Sequence, residues 1–249
     1  MGRPTAQKAP QGTEPVTHET LQALHTMGHG RHLVRWIYRG IRAQFHISLD
    51  VLKATWVTDI GRDINDKEWS FSLQYAKQVS RNTRFKLIQF YLFHQAYLTP
   101  HRLNRIYHTT TLHCPRSHAA DADLLHVLWS CPSLTQYWNA IGATLAEIMD
   151  ESIGLSPAFF LLGLHPWKRA SKVRMRFMDL DLLLAKCQLT RCWKSPHAPS
   201  LLSWKEEVLR CSQAESAALR REECRGLRRK PMSLEWDSLV EELRTHLKT

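Results

Sequence analysis

From residue 48 onward the apolar positions recur every three or four residues, the period of helices with one face against a core. Leu49, Leu52, Trp56 and Ile60 form the first stripe, with Ser48 placed to cap it and Gly61 to end it. Asn65 followed three residues later by Glu68 has the form of a capping box, and Trp69, Leu73 and Ala76 continue from it. Ser80 is read as the opening of a third helix carrying Phe85, Ile88, Leu92 and Ala96. Thr99 and Pro100 supply the cap and first position of a short fourth one. Further along, Leu134, Trp138, Ile141, Leu145 and Ile148 keep helical spacing. SPAFFLLGLHPW is a short apolar stretch bounded by prolines, and VRMRFMDLDLLLAKCQLTRCW is a strongly apolar helix. After the Pro-rich break SPHAPS, two more helices are predicted, roughly over 201–225 and 232–247. Strand alternation is scarce and no repeat of fixed period occurs. The expected fold is mainly α, an irregular helical array around a small Cys/His knuckle.

The beginning of the chain reads differently. Residues 1–20 combine Pro, Gly, Gln and Thr with little apolar content, and a disordered lead-in is expected over 1–30. A short helix is predicted from Leu33 to Ile41, carrying Arg35 and Arg39 and flanked by Arg31 and Arg42. The expected organisation is therefore a lead-in (1–30), a helical segment (31–112), a knuckle with its following helix (113–150) and a helical tail (151–249).

Composition adds the sign of a partner. Thirty-four Lys and Arg stand against 23 Asp and Glu, a net charge of +11. Basic groups on a folded surface attract phosphate and release its counterions, so RNA or DNA is the expected partner. A merely basic, soluble protein is the plainer reading of the same numbers. No apolar run reaches the ~18–20 residues of a bilayer span, and the first twenty residues lack the apolar centre of an export signal. An intracellular protein, nuclear or cytoplasmic and not secreted, is the expectation, with no membrane partner. The six Cys are then reduced thiols or metal ligands rather than a disulfide framework.

The chemistry concentrates in HCPRSHAADADLLHVLWSC, residues 113–131. Cys114, His126 and Cys131 are the residue types a structural zinc ion takes, thiolates and imidazole in a tetrahedron. Pro115 suits a tight turn after the first ligand, and His126 and Cys131 are expected on one face of the LLHVLW helix. Trp129 and Trp138 are placed to cover them. A second thiolate is missing, since Ser117 stands three residues after Cys114. Three readings are open: an imidazole swings in, from His118 or His113; water completes a three-ligand zinc site; or no metal binds.

These blocks in order, LKATWVTDIG, SRNTRFKLIQFYLFHQAYLTPHRLNRIY, the Cys/His stretch and SCPSLTQYW, resemble a LINE-type retrotransposon polyprotein. The similar part is the region downstream of the reverse transcriptase palm, including the zinc-binding domain that follows it. The resemblance covers roughly residues 30–235. In that family the pattern is Cys, a short gap, Cys, several residues, His, four residues, Cys and a trailing Trp. By resemblance Cys114 is the first ligand, His126 the third, Cys131 the fourth and Trp138 the trailing aromatic, while Ser117 departs at the second. The resemblance implies an RNA-binding or assembly module.

Catalytic machinery of such elements is not expected here. A polymerase holds two metal ions on paired aspartates in a strand-turn-strand setting. The close acidic pairs of this chain, in DINDKE, DAD and DLD, have no such setting. Nor do Ser, His and Asp occur in an order suggesting nucleophilic catalysis. For nucleic acid, Arg81, Arg84 and Lys86 lie beside Phe85, Phe90 and Tyr91, and Arg102 and Arg105 precede Tyr107. Such mixtures grip phosphate and stack on bases, although the aromatics also suit a core. The run from Arg220 to Lys230 reads first as a solvated helix face. His46, His94, His165 and His197 receive no role, and Cys187 and Cys192 read as buried packing.

Overall fold

Local signals account for where most helices begin and end. In the computed structural model α1 spans Asp50–Ile60 and stops at Gly61, whose φ of 67° is the left-handed value that favours glycine. The structure describes residues 49–108, 112–165, 171–226 and 231–248. The lead-in over 1–30, the Leu33–Ile41 helix, Ser48, His46 and Arg228 to Lys230 lie outside the described residues. From Leu52 onward the chain forms one compact unit, and all that follows concerns it.

Helix α2 (Asp66–Gln78) carries the predicted capping box in full, with the Asn65 side chain accepting from Glu68 N–H and Glu68 accepting from Asn65 N–H. Helix α3 (Thr83–Phe93) departs from the sequence reading at both ends. Its cap is Asn82, which accepts from Arg84 N–H, while the Ser80 hydroxyl accepts from Asn82 N–H one step earlier. It ends before Ala96, because Gln95 turns left-handed at φ 50°. Helix α4 (Pro100–Tyr107) starts as predicted, on Thr99 and Pro100.

Then follow α5 (Thr135–Met149), α6 (Pro157–Leu162), α7 (Lys172–Arg191), α8 (Leu201–Cys224) and α9 (Ser233–Lys248). Among the described residues there is no strand, only an isolated antiparallel bridge between His113 and Ala120. The fold is mainly α.

Helix α7 is buried on nearly every side from Leu180 to Leu189, and it packs against α3, α5, α6, α8 and α9. This apolar stretch lies at the centre of the unit, while Lys172, Arg174 and Arg176 at the start of the helix reach toward solvent. Trp56, Trp204 and Trp236 fill the core and place their indole N–H groups on the backbone carbonyls of Phe93, Asp181 and Ser212. Polar contacts tie early helices to late ones. Ser72 donates to Leu162 O, Gln89 to Leu161 O and Tyr137 to Ala185 O, each at 3.0 Å or less.

Candidate metal centre and basic face

The segment between α4 and α5 folds into a hairpin facing a short helical turn. Cys114 N–H donates to Ala119 O and His118 N–H donates back to Cys114 O, both at 2.9 Å, closing a tight loop over Pro115, Arg116 and Ser117. Opposite it, Leu124 and Leu125 begin a helix that widens into a π-type turn at His126–Ser130. Cys131 N–H then reaches His126 O at 3.0 Å, a bond spanning five residues. This refines the predicted α-helix for LLHVLW. Positions five apart on an α-helix diverge by about 140°, whereas the wider turn brings them to one face. The π-turn is what lets His126 and Cys131 act together.

The ligand atoms of Cys114, His126 and Cys131 all lie within 4.8 Å of one another. The two sulfurs are 3.9 Å apart and buried. Sulfurs bound at about 2.3 Å to one tetrahedral zinc ion stand about 3.8 Å apart, so this edge already has the required length. Beside this cluster stands Ser117, whose Oγ lies 3.0 Å from Nε2 of His126. His118 is not in the cluster. It is exposed, its φ of 56° ends the loop, and the hydroxyl of its neighbour occupies the place its imidazole was expected to take. His113 is likewise exposed, on the outer side of the bridge.

Electrostatics suit a cation. Burial pushes the Cys131 thiol up, but hydrogen bonds from Ser117, the Ser133 backbone, Cys114 and Arg116 outweigh it and hold the thiol below its ordinary range. Burial and the Arg116 charge lower His126 against the opposing pull of Asp123, which favours the neutral imidazole that coordinates metal. The buried Arg116 donates to Val127 O, while its Nε and Nη1 meet no acceptor of good geometry. A buried guanidinium without a carboxylate is costly unless acceptors or anions lie near it, and Cys131 stands beside it. Asp123 accepts from His126 N–H at 2.7 Å, fixing the start of the turn. The Trp129 and Trp138 rings lie 5.4 Å apart, tilted by 37°, and Trp138 N–H donates to Leu128 O. The donor set fits one structural zinc: two thiolates, an imidazole and a hydroxyl. Sequence reasoning had singled out Ser117 only as a gap, and it missed Arg116 and Asp123.

The predicted nucleic-acid residues divide. Arg81 is engaged internally, its guanidinium bound to Glu215 at 3.1 Å and Glu222 at 2.6 Å on α8. Arg84, Lys86 and Arg105 make no ion pair among the described residues. Arg102 donates to Gln95 O, and with Arg105 and His101 it lines an open cavity of about 730 Å³ that also contains Asp59 and Asp123. Around these cations large apolar side chains face solvent: Leu87, Phe90, Tyr91, Leu98, Ile106 and Tyr107. Phe85, by contrast, is core. Rings run along the surface from Phe90 to Tyr91, on to Tyr97 at 6.2 Å, and from Tyr97 to Trp193, stacked at 5.1 Å. Trp193 has no local signal that would have assigned it to this row.

Asp66, Asp121, Asp123 and Asp179 have partners in the fold, whereas both carboxyl oxygens of the buried Asp181 have none among the described residues. Asp66 pairs with Lys53, Asp121 accepts from Asn104, Asp179 faces His165 at 2.8 Å, and Asp181 is buried, its pKa raised well above the carboxylate range by burial and the nearby Asp179. In the C-terminal run Arg220 pairs with Asp237, in keeping with a solvated helix face. Comparison with protein-family models and with curated proteins finds no match to this chain. No helix of the described residues is long and apolar enough to cross a membrane.

Proposed function

We propose that this chain is a non-catalytic nucleic-acid-binding element, with RNA as its ligand and a LINE-type reverse transcriptase polyprotein as its origin. In this reading zinc pins the hairpin at Cys114 and Ser117 to the turn at His126 and Cys131, and so fixes how α4 meets α5. The metal supplies folding energy and no reaction, as structural zinc does. The observation that carries the proposal is the row of exposed and half-exposed aromatic side chains on α3 and the loop after it, edged by Arg84, Lys86 and Arg105, which make no ion pair among the described residues. Stacking rings beside cations are the means by which single strands are held without sequence preference. The non-catalytic part is supported by the partners of Asp66, Asp121, Asp123 and Asp179, none of which stands in a strand-turn-strand setting.

A second reading, a protein-interaction surface, is favoured by Leu87, Leu98 and Ile106, which are exposed in the same region. Titration of a single-stranded RNA oligonucleotide across a salt series separates the two. Phosphate contacts predict a binding constant that falls steeply with salt, by a log–log slope of about −0.7 per phosphate neutralised. Absence of binding at low salt, or a flat response, removes the nucleic-acid reading.

A further inference from the structure

A second basic surface lies on the opposite flank of α3. Between α2, α3 and α7 an open groove of about 690 Å³ is lined by Lys77, Arg81, Lys86, Lys172 and Arg176. The carboxylate in its lining is Asp179, already facing His165 at 2.8 Å. Two of the five cations are held in place from behind. Glu215 of α8, largely buried, receives Arg81 at 3.1 Å and Arg176 at 3.0 Å through the same oxygen. Glu215 thus orients two guanidiniums at the groove wall, Glu222 also holds Arg81 at 2.6 Å, and the net positive charge of the groove comes from Lys77, Lys86 and Lys172. Lys77 and Lys172 are exposed and make no ion pair among the described residues. At the lip Phe71 is 44% exposed, its ring edge-on to His165 at 5.8 Å.

We infer that this groove is a track for the phosphodiester backbone of a single-stranded nucleic acid, with Lys77, Lys86 and Lys172 as phosphate contacts. Arg81 and Arg176, fixed by Glu215, are the preorganised part of the wall. Cations gathered in a concave site focus their field and favour a polyanion. Guanidiniums already held in one geometry lose less freedom when a phosphate arrives. Phe71 offers a face for a base beside the track, so stacking and charge occur together as in other single-strand sites. The helix α3 separates this track from the ring row of Phe90 and Tyr91, and Lys86 joins the two by lying on the shared helix. The inference rests on the nucleic-acid reading and names a site that reading does not contain.

The test uses the full chain and a single-stranded RNA oligonucleotide across a salt series. Lys77→Gln with Lys172→Gln, two exposed changes that leave the core intact, is compared with Lys67→Gln with Lys194→Gln, which removes the same charge elsewhere. The groove pair is expected to weaken binding and to flatten the log–log salt slope by about 1.4, two contacts at about 0.7 each. The control pair leaves the slope at its parent value. Equal slopes in the groove variant and the parent overturn the track while leaving the nucleic-acid reading intact. No salt-dependent binding by the parent overturns both. Displacement of the RNA by polyglutamate as effectively as by unlabelled RNA overturns nucleic acid as the groove's ligand.

Discussion

The hydroxyl of Ser117 and Nε2 of His126 stand 3.0 Å apart, across the loop from the two sulfurs of Cys114 and Cys131. An imidazole nitrogen and a hydroxyl oxygen bound at about 2.1 Å to one tetrahedral ion would be about 3.4 Å apart. The observed pair is therefore a hydrogen bond on an edge that a metal would lengthen slightly. With a metal bound, Ser117 would offer a weaker donor than a thiolate.

Replacing that donor should show its rank. Ser117→Cys is expected to tighten zinc at least about tenfold, the scale on which even an outer partner of a metal ligand counts. It should also raise the thermal midpoint of the zinc-loaded protein. Competition with a chromogenic chelator measures the first and calorimetry the second. Unchanged affinity would mean that Ser117 does not face the ion.

Loss of a principal ligand should act through folding. His126→Ala is expected to lower the thermal midpoint in zinc to that of the chelator-treated parent, because the hairpin and the π-turn are then no longer tied together. If chelator leaves the midpoint of the parent unmoved, the cluster has no metal to lose.

Lys186 gives a pH dependence of defined sign. Its ammonium is fully buried, donating to the Tyr75 hydroxyl at 3.1 Å and to Leu161 O at 3.2 Å, and burial brings its pKa from 10.5 down to about 7. Between pH 7 and 10.5 the unfolded chain holds this proton and the folded chain does not, so the group adds stability as pH rises through that window. Below it, both states are protonated and the full cost of burying the charge remains. Lys186→Met should therefore be more stable than the parent at acid pH, with an advantage that shrinks as pH rises toward 10.5. Urea midpoints of the two proteins across this range check it. An advantage independent of pH would show that the amine is not desolvated.

Gly163 ends α6 at φ 72°, and a Cβ there would stand 2.7 Å from the Tyr75 ring. Gly163→Ala combines backbone strain with a clash against a buried ring, and a loss of about 2–4 kcal/mol is expected from denaturant unfolding. A neutral result would show that Tyr75 moves freely, at odds with its bond to Lys186.

How far the sequence showed all this depended on distance along the chain. The Asn65–Glu68 box, the Thr99–Pro100 start and the Gly61 stop are decided within a turn of backbone, and they could be read directly. Arg81 looked like a phosphate contact because its acceptors, Glu215 and Glu222, lie more than a hundred residues away. Separation along the chain also hid the Glu215 clamp on Arg176, 39 residues apart, and the stacking of Trp193 on Tyr97. The three residues of the Cys/His cluster were legible as residue types, but their convergence depends on a π-turn that hydrophobic spacing does not reveal. Ser117 was passed over for the nearby imidazoles because a hydroxyl is the poorer ligand. Backbone geometry decided in its favour by turning His118 outward.

The most direct test is elemental analysis of the purified chain together with X-ray absorption at the zinc edge. One zinc ion per chain, bound by two sulfurs at about 2.3 Å and two lighter atoms at about 2.0–2.2 Å, is the predicted result. A cooperatively folded protein that contains no metal and takes up none when zinc is supplied would contradict the account.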